Sequence, residues 1–153
     1  QMDRFLLRLR MGYPGADDER EILRRAHGGY DAISVNPVIT RSEVVALQAL
    51  VPQVFVEDSV IDFILRIVAA TRTETEFRCG VSVRGSLALR AAAQARALAR
   101  GRDFVVPEDV SSLVEPVLAH RLSPARQTSD ALEERRAVAA ALKRLVAAIP
   151  APA

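Results

Sequence analysis

Between Asp58 and Val68 the chain places Val60, Ile61, Phe63, Ile64, Leu65, Ile67 and Val68 with few polar side chains among them. A helix with so little polar circumference belongs at the centre of a bundle, where other helices surround it. Material for those neighbours lies on both sides. Thr40, with Glu43 three residues on, gives a capping-box pattern that opens a helix through Val44, Leu47, Ala49 and Leu50 to Pro52. Ser82 can cap a further helix through Leu87, Ala91, Ala95 and Leu98 to Arg100, closed by Gly101. Pro107 suits the first turn of the next, with Val110, Leu113, Val114, Val117 and Leu118 on one stripe and Pro116 as a point that kinks or shortens it. Aromatics are only 5% and Trp is absent, so the core must rest on Leu, Val, Ile and Ala. The spacing predicts a small α bundle over residues 40–121.

The flanks read differently. Phe5, Leu7, Leu9 and Met11 alternate with Arg4, Leu6, Arg8 and Arg10, which is the period of a strand, and Gly12-Tyr13-Pro14-Gly15 ends it. No strand of comparable quality follows, so the strand at 1–13 is an orphan whose partners belong to sequence outside this chain. Gln1 in place of an initiator Met fits a segment of a longer protein, or a processed or trimmed start. Residues 14–39 hold a short helix from Ala16 to His27, stopped by Gly28-Gly29, and a connecting loop. Its acids come first and its bases last, as the helix dipole favours. Residues 122–153 hold a linker (122–129) and an alanine-rich helix from Asp130 to about Ile149, which either packs back on the bundle or meets a neighbouring subunit. The expected architecture is mainly α, a helical bundle preceded by one orphan strand and followed by an extra C-terminal helix.

Most catalytic chemistry is excluded by spacing. A phosphate loop needs Gly-x4-Gly-Lys-Ser/Thr, but the sole lysine, Lys143, follows Leu142. His27 and His120 have no ligand spacing around them, so no metal site is expected. No Gly-x-Ser-x-Gly elbow occurs, and Cys79, the only cysteine, has no nearby base. The chain alone should be catalytically inert. A single cysteine forbids an internal disulfide and suits a reducing compartment, with the cytoplasm as the default. No apolar run approaches the roughly 18 to 20 residues that cross a bilayer. A net charge of +2 is too small to imply a nucleic-acid groove.

Three arginines stand out. Arg84 falls in the first turn of the helix capped by Ser82, and counting three and seven residues forward reaches Leu87 and Ala91, which places it on an inward stripe. A cation there is opposed by the dipole and partly desolvated, so it needs an anion: either a phosphate held with the free amides of the helix start, or a carboxylate of the same chain. Arg4, in Asp3-Arg4-Phe5, either projects from a sheet edge towards a partner or is a solvated charge that discourages strand addition. Arg72 closes the central helix, where the dipole favours a cation.

The order of short motifs is more specific than any one of them. Gln1-Met2-Asp3-Arg4-Phe5-Leu6, Gly12-Tyr13-Pro14, Thr71-Arg72, Gly80-Val81-Ser82-Val83-Arg84-Gly85, Gly101-Arg102-Asp103-Phe104-Val105-Val106-Pro107-Glu108-Asp109-Val110 and His120-Arg121-Leu122 follow one another along residues 1–122. This series resembles the C-terminal part of a MoxR-type AAA+ ATPase: the end of the α/β core, then the helical lid. The resemblance implies that Arg4 is an arginine finger reaching a neighbouring subunit's nucleotide. It implies that Arg84, with Ser82, matches the sensor-2 arginine of the family's Gly-Ala-Ser-Pro-Arg-Ala segment, which contacts the γ-phosphate. Val83 for Pro and Gly85 for Ala depart from that segment. The resemblance further implies ATP and Mg2+ held by the missing core and none by this fragment alone. It implies a homo-oligomeric ring, a hexamer, a von Willebrand factor A domain partner, and a chaperone-like role in maturing or inserting metal into other proteins. The rival reading is a helical nucleic-acid-binding or adaptor module. Acids spread among the arginines and the lack of an aromatic platform argue against it.

Overall fold

Helix starts and stops fall close to where the sequence punctuation puts them in the computed structural model, which describes residues 2–25, 36–126 and 129–152. Among the described residues the α-helices are α1 (Ala16–Arg25), α2 (Arg41–Leu50), α3 (Asp58–Thr73), α4 (Val83–Ala99), α5 (Pro107–Leu118) and α6 (Ala131–Ala147). The caps are the expected ones. Thr40 accepts from the Glu43 amide at 3.3 Å while the Glu43 carboxylate accepts from the Thr40 amide at 2.7 Å. Ser82 accepts from the Gly85 amide at 3.4 Å, and Asp130 from the Leu132 amide at 2.7 Å. Gly101, at φ 72°, turns the chain out of α4 in the left-handed conformation that only glycine adopts freely. His27, the Gly28-Gly29 stop and the loop from Tyr30 to Val35 lie outside the described residues.

The core forms around α3. Its Val60, Phe63, Ile64, Ile67 and Val68 meet Leu89, Ala93 and Ala97 of α4, Val110, Val114 and Val117 of α5, and Val138, Ala141 and Leu142 of α6. Helix α3 is less enclosed than its composition suggests, since Leu65 stays half exposed. Helices α1 and α2 bury no residue. Helix α6 does pack back on the bundle, and Arg144 fixes it by an ion pair with Glu76 at 2.6 Å.

Two expectations fail. Residues 5–15 form no ladder; Met2–Arg4 is a turn of 3-10 helix, and beyond it the chain is irregular, held by an Arg8 amide to Pro116 carbonyl bond at 2.9 Å. Strand alternation is present in the sequence, but a strand needs a neighbour, and nothing among the described residues supplies one. The segment at 122–129 is not simply a linker. Ser123–Pro124 forms β2, antiparallel to β1 (Phe77–Cys79), which lies between α3 and α4. Strands this short carry too little pattern to be seen in sequence.

The sequence motifs resolve into two braces. Thr71, almost wholly buried, accepts from the Val81 amide at 3.0 Å and donates to the Val68 carbonyl at 2.6 Å. Arg72 donates from Nε to the Val81 carbonyl at 3.0 Å, so its role is a specific bond across to the start of α4 rather than a general dipole effect. A methyl at Gly80 would overlap Cγ and Cα of Arg72, so the Thr71-Arg72 and Gly80-Val81 motifs require each other. In the second brace Arg102 forks onto both oxygens of the fully buried Asp109 at 2.8 Å, and Asp109 also accepts from the Val106 amide at 3.1 Å. Burial opposes ionisation of Asp109, but the Arg102 and Val106 bonds and the charges of Arg102 and Arg96 outweigh it and hold the carboxyl below its usual pKa.

One departure from the family's segment also has a local cause. A methyl at Gly85 would overlap Cγ1 of Val81, which stands where the resembled segment has Ala. The larger Val81 is accommodated by the smaller Gly85. Gly85→Ala should therefore cost about 1–3 kcal/mol by overpacking, and Val81→Ala in the same chain should restore most of the loss; fully additive thermal shifts would refute the pairing. Because the Asp109 pKa is lowered on folding, its stabilisation is complete above the unfolded value of about 4 and is lost as pH falls through the folded value. Melting temperatures of Asp109→Asn should be lower than those of the parent at pH 7, with the gap closing below about pH 4.

Candidate functional site

The buried side of α4 is built from Gly85, Leu89, Ala92, Ala93 and Ala97. Arg84, Leu87 and Ala91 therefore point the other way, and the inward stripe read from the sequence is overturned: Arg84 is exposed and Leu87 is 60% exposed. The physical reason is that alanines on every side of α4 make its faces nearly alike, while the small Gly85 permits a close approach to Leu118 of α5 that decides the packing. Among the described residues Arg84 has no hydrogen bond and no ion pair; the Asp3 carboxylate is near enough to feel its charge but is bonded to Arg121 and Ser82 instead. Val83, 68% exposed, takes the first helical position, where a proline's missing amide would cost nothing, so this departure leaves the helix start intact.

Ser82 joins this helix start to the beginning of the chain. Besides capping α4, its hydroxyl donates to Asp3 Oδ2 at 3.2 Å. Asp3-Arg4-Phe5 and Ser82-Val83-Arg84 thus lie at one end of the bundle. Arg4 is exposed and, like Arg84, unpaired among the described residues. What it lacks in contacts its neighbours have in abundance. Arg121, whose side chain is only 3% exposed, sends Nη1 to the Asp3 carboxylate at 2.7 Å and to the Asp3 carbonyl, Nη2 to the Phe5 carbonyl at 2.7 Å, and Nε to the Val117 carbonyl at 2.9 Å. His120 Nε2 donates to the same Phe5 carbonyl at 2.9 Å. The Arg121 bond lowers the Asp3 pKa most; burial, the next largest effect, opposes it, and the Ser82 bond with the charges of Arg121 and Arg84 leaves the carboxyl below its usual value.

Sequence reasoning singled out Arg4, Arg84 and Ser82 and missed Asp3, His120 and Arg121 as a unit. The signal was present, since Asp3 and His120-Arg121 both stand in the ordered motif series, but more than a hundred residues separate them. Chemically the site offers a free guanidinium beside the amides of a helix start, which suits an anion such as a phosphate. Ser82 is already engaged on both sides, so its first role here is to cap and to tether. Among the described residues no group of three His, Cys, Asp or Glu side chains could hold a metal ion, and no helix is long and apolar enough to cross a membrane.

The family model of the AAA lid domain matches residues 69–143, which runs from within α3 through the β2 segment into α6. Chaperone MoxR1 of Mycobacterium tuberculosis is 33% identical over 161 aligned positions that cover 99% of this chain and 41% of that protein. The uncharacterized protein YeaC of Bacillus subtilis is 41% identical across 80% of this chain and 38% of its own length. Protein MoxR of Paracoccus denitrificans is 44% identical over half of this chain and 22% of its own. The chain thus spans about two fifths of the first two of these relatives. The crystal structure of a candidate ATPase from Cytophaga hutchinsonii superposes with a TM-score of 0.74 over 93% of this chain and 46% of that one, at 24% identity, and shares the fold. The order of motifs, the lid match and the likeness to the two MoxR proteins together make this chain a lid-bearing part of a protein of the MoxR-type AAA+ family.

Proposed function

We propose that this chain is the nucleotide-responsive lid of an ATPase, with Arg84 as its sensor-2 arginine and Arg4 as an arginine finger. The observation that carries the reading is that Arg84 is exposed and unpaired at the start of α4, beside the tethered segment that bears Arg4. Arg84 feels the Asp3 carboxylate at a distance but is not bonded to it, so its donors remain available to an anion supplied from outside. Exposed apolar side chains stand beside Arg84 on α4 and beside Arg4: Val83 is 68% exposed, Leu87 60% and Phe5 60%. Such a face is suited to being covered by the α/β core, between which and this lid ATP with Mg2+ would sit. ATP supplies the transferable γ-phosphoryl group. Arg84 would place positive charge where negative charge develops during transfer, and Ser82 would keep the helix start aimed at it. A closed arrangement stabilised by that contact, and weakened once the contact is lost, lets the lid act as a lever.

The wider role follows the relatives. MoxR1 is named a chaperone, and we take a chaperone-like maturation of other proteins, including metal insertion, as the role of the whole protein, working as a homo-oligomeric, hexameric ring with a von Willebrand factor A domain partner in the cytoplasm. A finger in trans fits the exposure of Arg4.

Arg84→Ala in the full-length protein should leave the melting temperature unchanged and lower kcat for ATP hydrolysis by about 10²-fold; unchanged steady-state turnover would remove the assignment. Arg4→Ala subunits mixed with subunits carrying a disabled phosphate loop should regain part of the activity at mixed interfaces. Mixtures as inactive as either component alone would speak against a finger in trans.

A further inference from the structure

The most heavily bonded side chain in this end of the molecule belongs to neither candidate catalytic arginine. Arg121 makes bonds to Asp3 and Phe5, the residues on either side of Arg4, and none to Arg4 itself. Its own position is fixed by the Val117 carbonyl one turn back and by packing of its stem near Gly85 and Leu118. His120 holds the Phe5 carbonyl from the adjacent position. The backbone of Arg4 is closed further by the 3-10 turn, in which the Phe5 amide donates to the Met2 carbonyl at 3.2 Å. The result is a residue with a clamped backbone and an unpaired, exposed side chain.

We propose that Arg121 is a positioning residue for Arg4, holding the backbone from which the finger reaches out and tying it, through Asp3 and Ser82, to the helix start that carries Arg84. This rests on the reading of Arg4 as a finger and adds what keeps it in place. Burying a guanidinium costs several kcal/mol unless its donors are used. Here Nε, Nη1 and Nη2 all donate, and all the bonds beyond α5 go to the two residues that flank Arg4. A buried arginine whose purpose was only to tie the bundle together would spend its donors within the bundle. This one spends them on a segment that lies outside the hydrophobic core and buries no residue of its own. A lysine could not replace it, because one ammonium cannot span the Asp3 carboxylate, the Asp3 carbonyl and the Phe5 carbonyl at once.

The test is a double-mutant cycle in the full-length, assembled protein. Arg121→Gln should lower kcat by about 10²-fold, the cost of a finger displaced by about an ångström, while KM for ATP stays within a factor of about two. Arg4→Ala should lower kcat at least as far. If Arg121 acts through Arg4, the double variant is no slower than Arg4→Ala alone. Independent, multiplying losses, or a loss confined to KM, would overturn the positioning role while leaving the finger intact. An Arg4→Ala protein with normal turnover would overturn the finger reading and this inference with it. Should Arg121→Gln fail to fold, Asp3→Asn, which weakens the clamp from its other side, goes through the same cycle with the same criteria.

Discussion

The close contact between α4 and α5 decides what the rest of this molecule can do. Gly85 sits against Leu118 of α5, and once the face of α4 that carries Gly85, Leu89, Ala92, Ala93 and Ala97 is buried every other side chain on α4 has its direction assigned. Arg84 is then turned away from the core, Gln94 is turned inward to donate to the Val54 carbonyl at 2.7 Å, and Ser82 is brought within reach of Asp3. Small residues do this because close packing rewards shape rather than hydropathy. A larger side chain on that face would push the helices apart, and the direction of Arg84 would no longer be fixed.

Much of the fold was legible because helix boundaries are written in local chemistry. Thr40 with Glu43, Ser82, Pro107, Gly101 and Asp130 each act on backbone groups within a few residues, so the sequence alone contains cause and effect. The face that α4 buries was not legible, since it depends on how α5 fits against it. The short pairing of β1 with β2 was hidden for a similar reason: its partners are more than forty residues apart and neither is long enough to show alternation. The strand pattern in residues 4–11 failed in the opposite way. It describes a propensity that the described residues give no partner to satisfy.

The candidate site was half visible. Charge and position at a helix start marked Arg84, but the premise that it points inward was wrong: it stands exposed on the face of α4 away from the core. The motif series marked Arg102 and Asp109 equally strongly, and these belong to an internal brace that serves α5. An ordered series of motifs therefore mixes exposed residues such as Arg84 with residues that hold the scaffold. Coordinates separate them by a simple criterion: Asp109 has its bonds filled from within, whereas Arg84 has none.

The grip of Arg121 and His120 on the first residues has a mechanical consequence. These two side chains extend the C-terminal end of α5, and the Pro116 carbonyl holds Arg8 just behind them, so three successive points of the opening segment hang on one rod. A tug on that segment would load α5 lengthwise and would reach α4 twice, directly through Ser82 and again through the flank the two helices share. Strain arriving from the chain's first residues and strain arriving at the start of α4 are thus felt by the same pair of helices, which behave as one stiff beam.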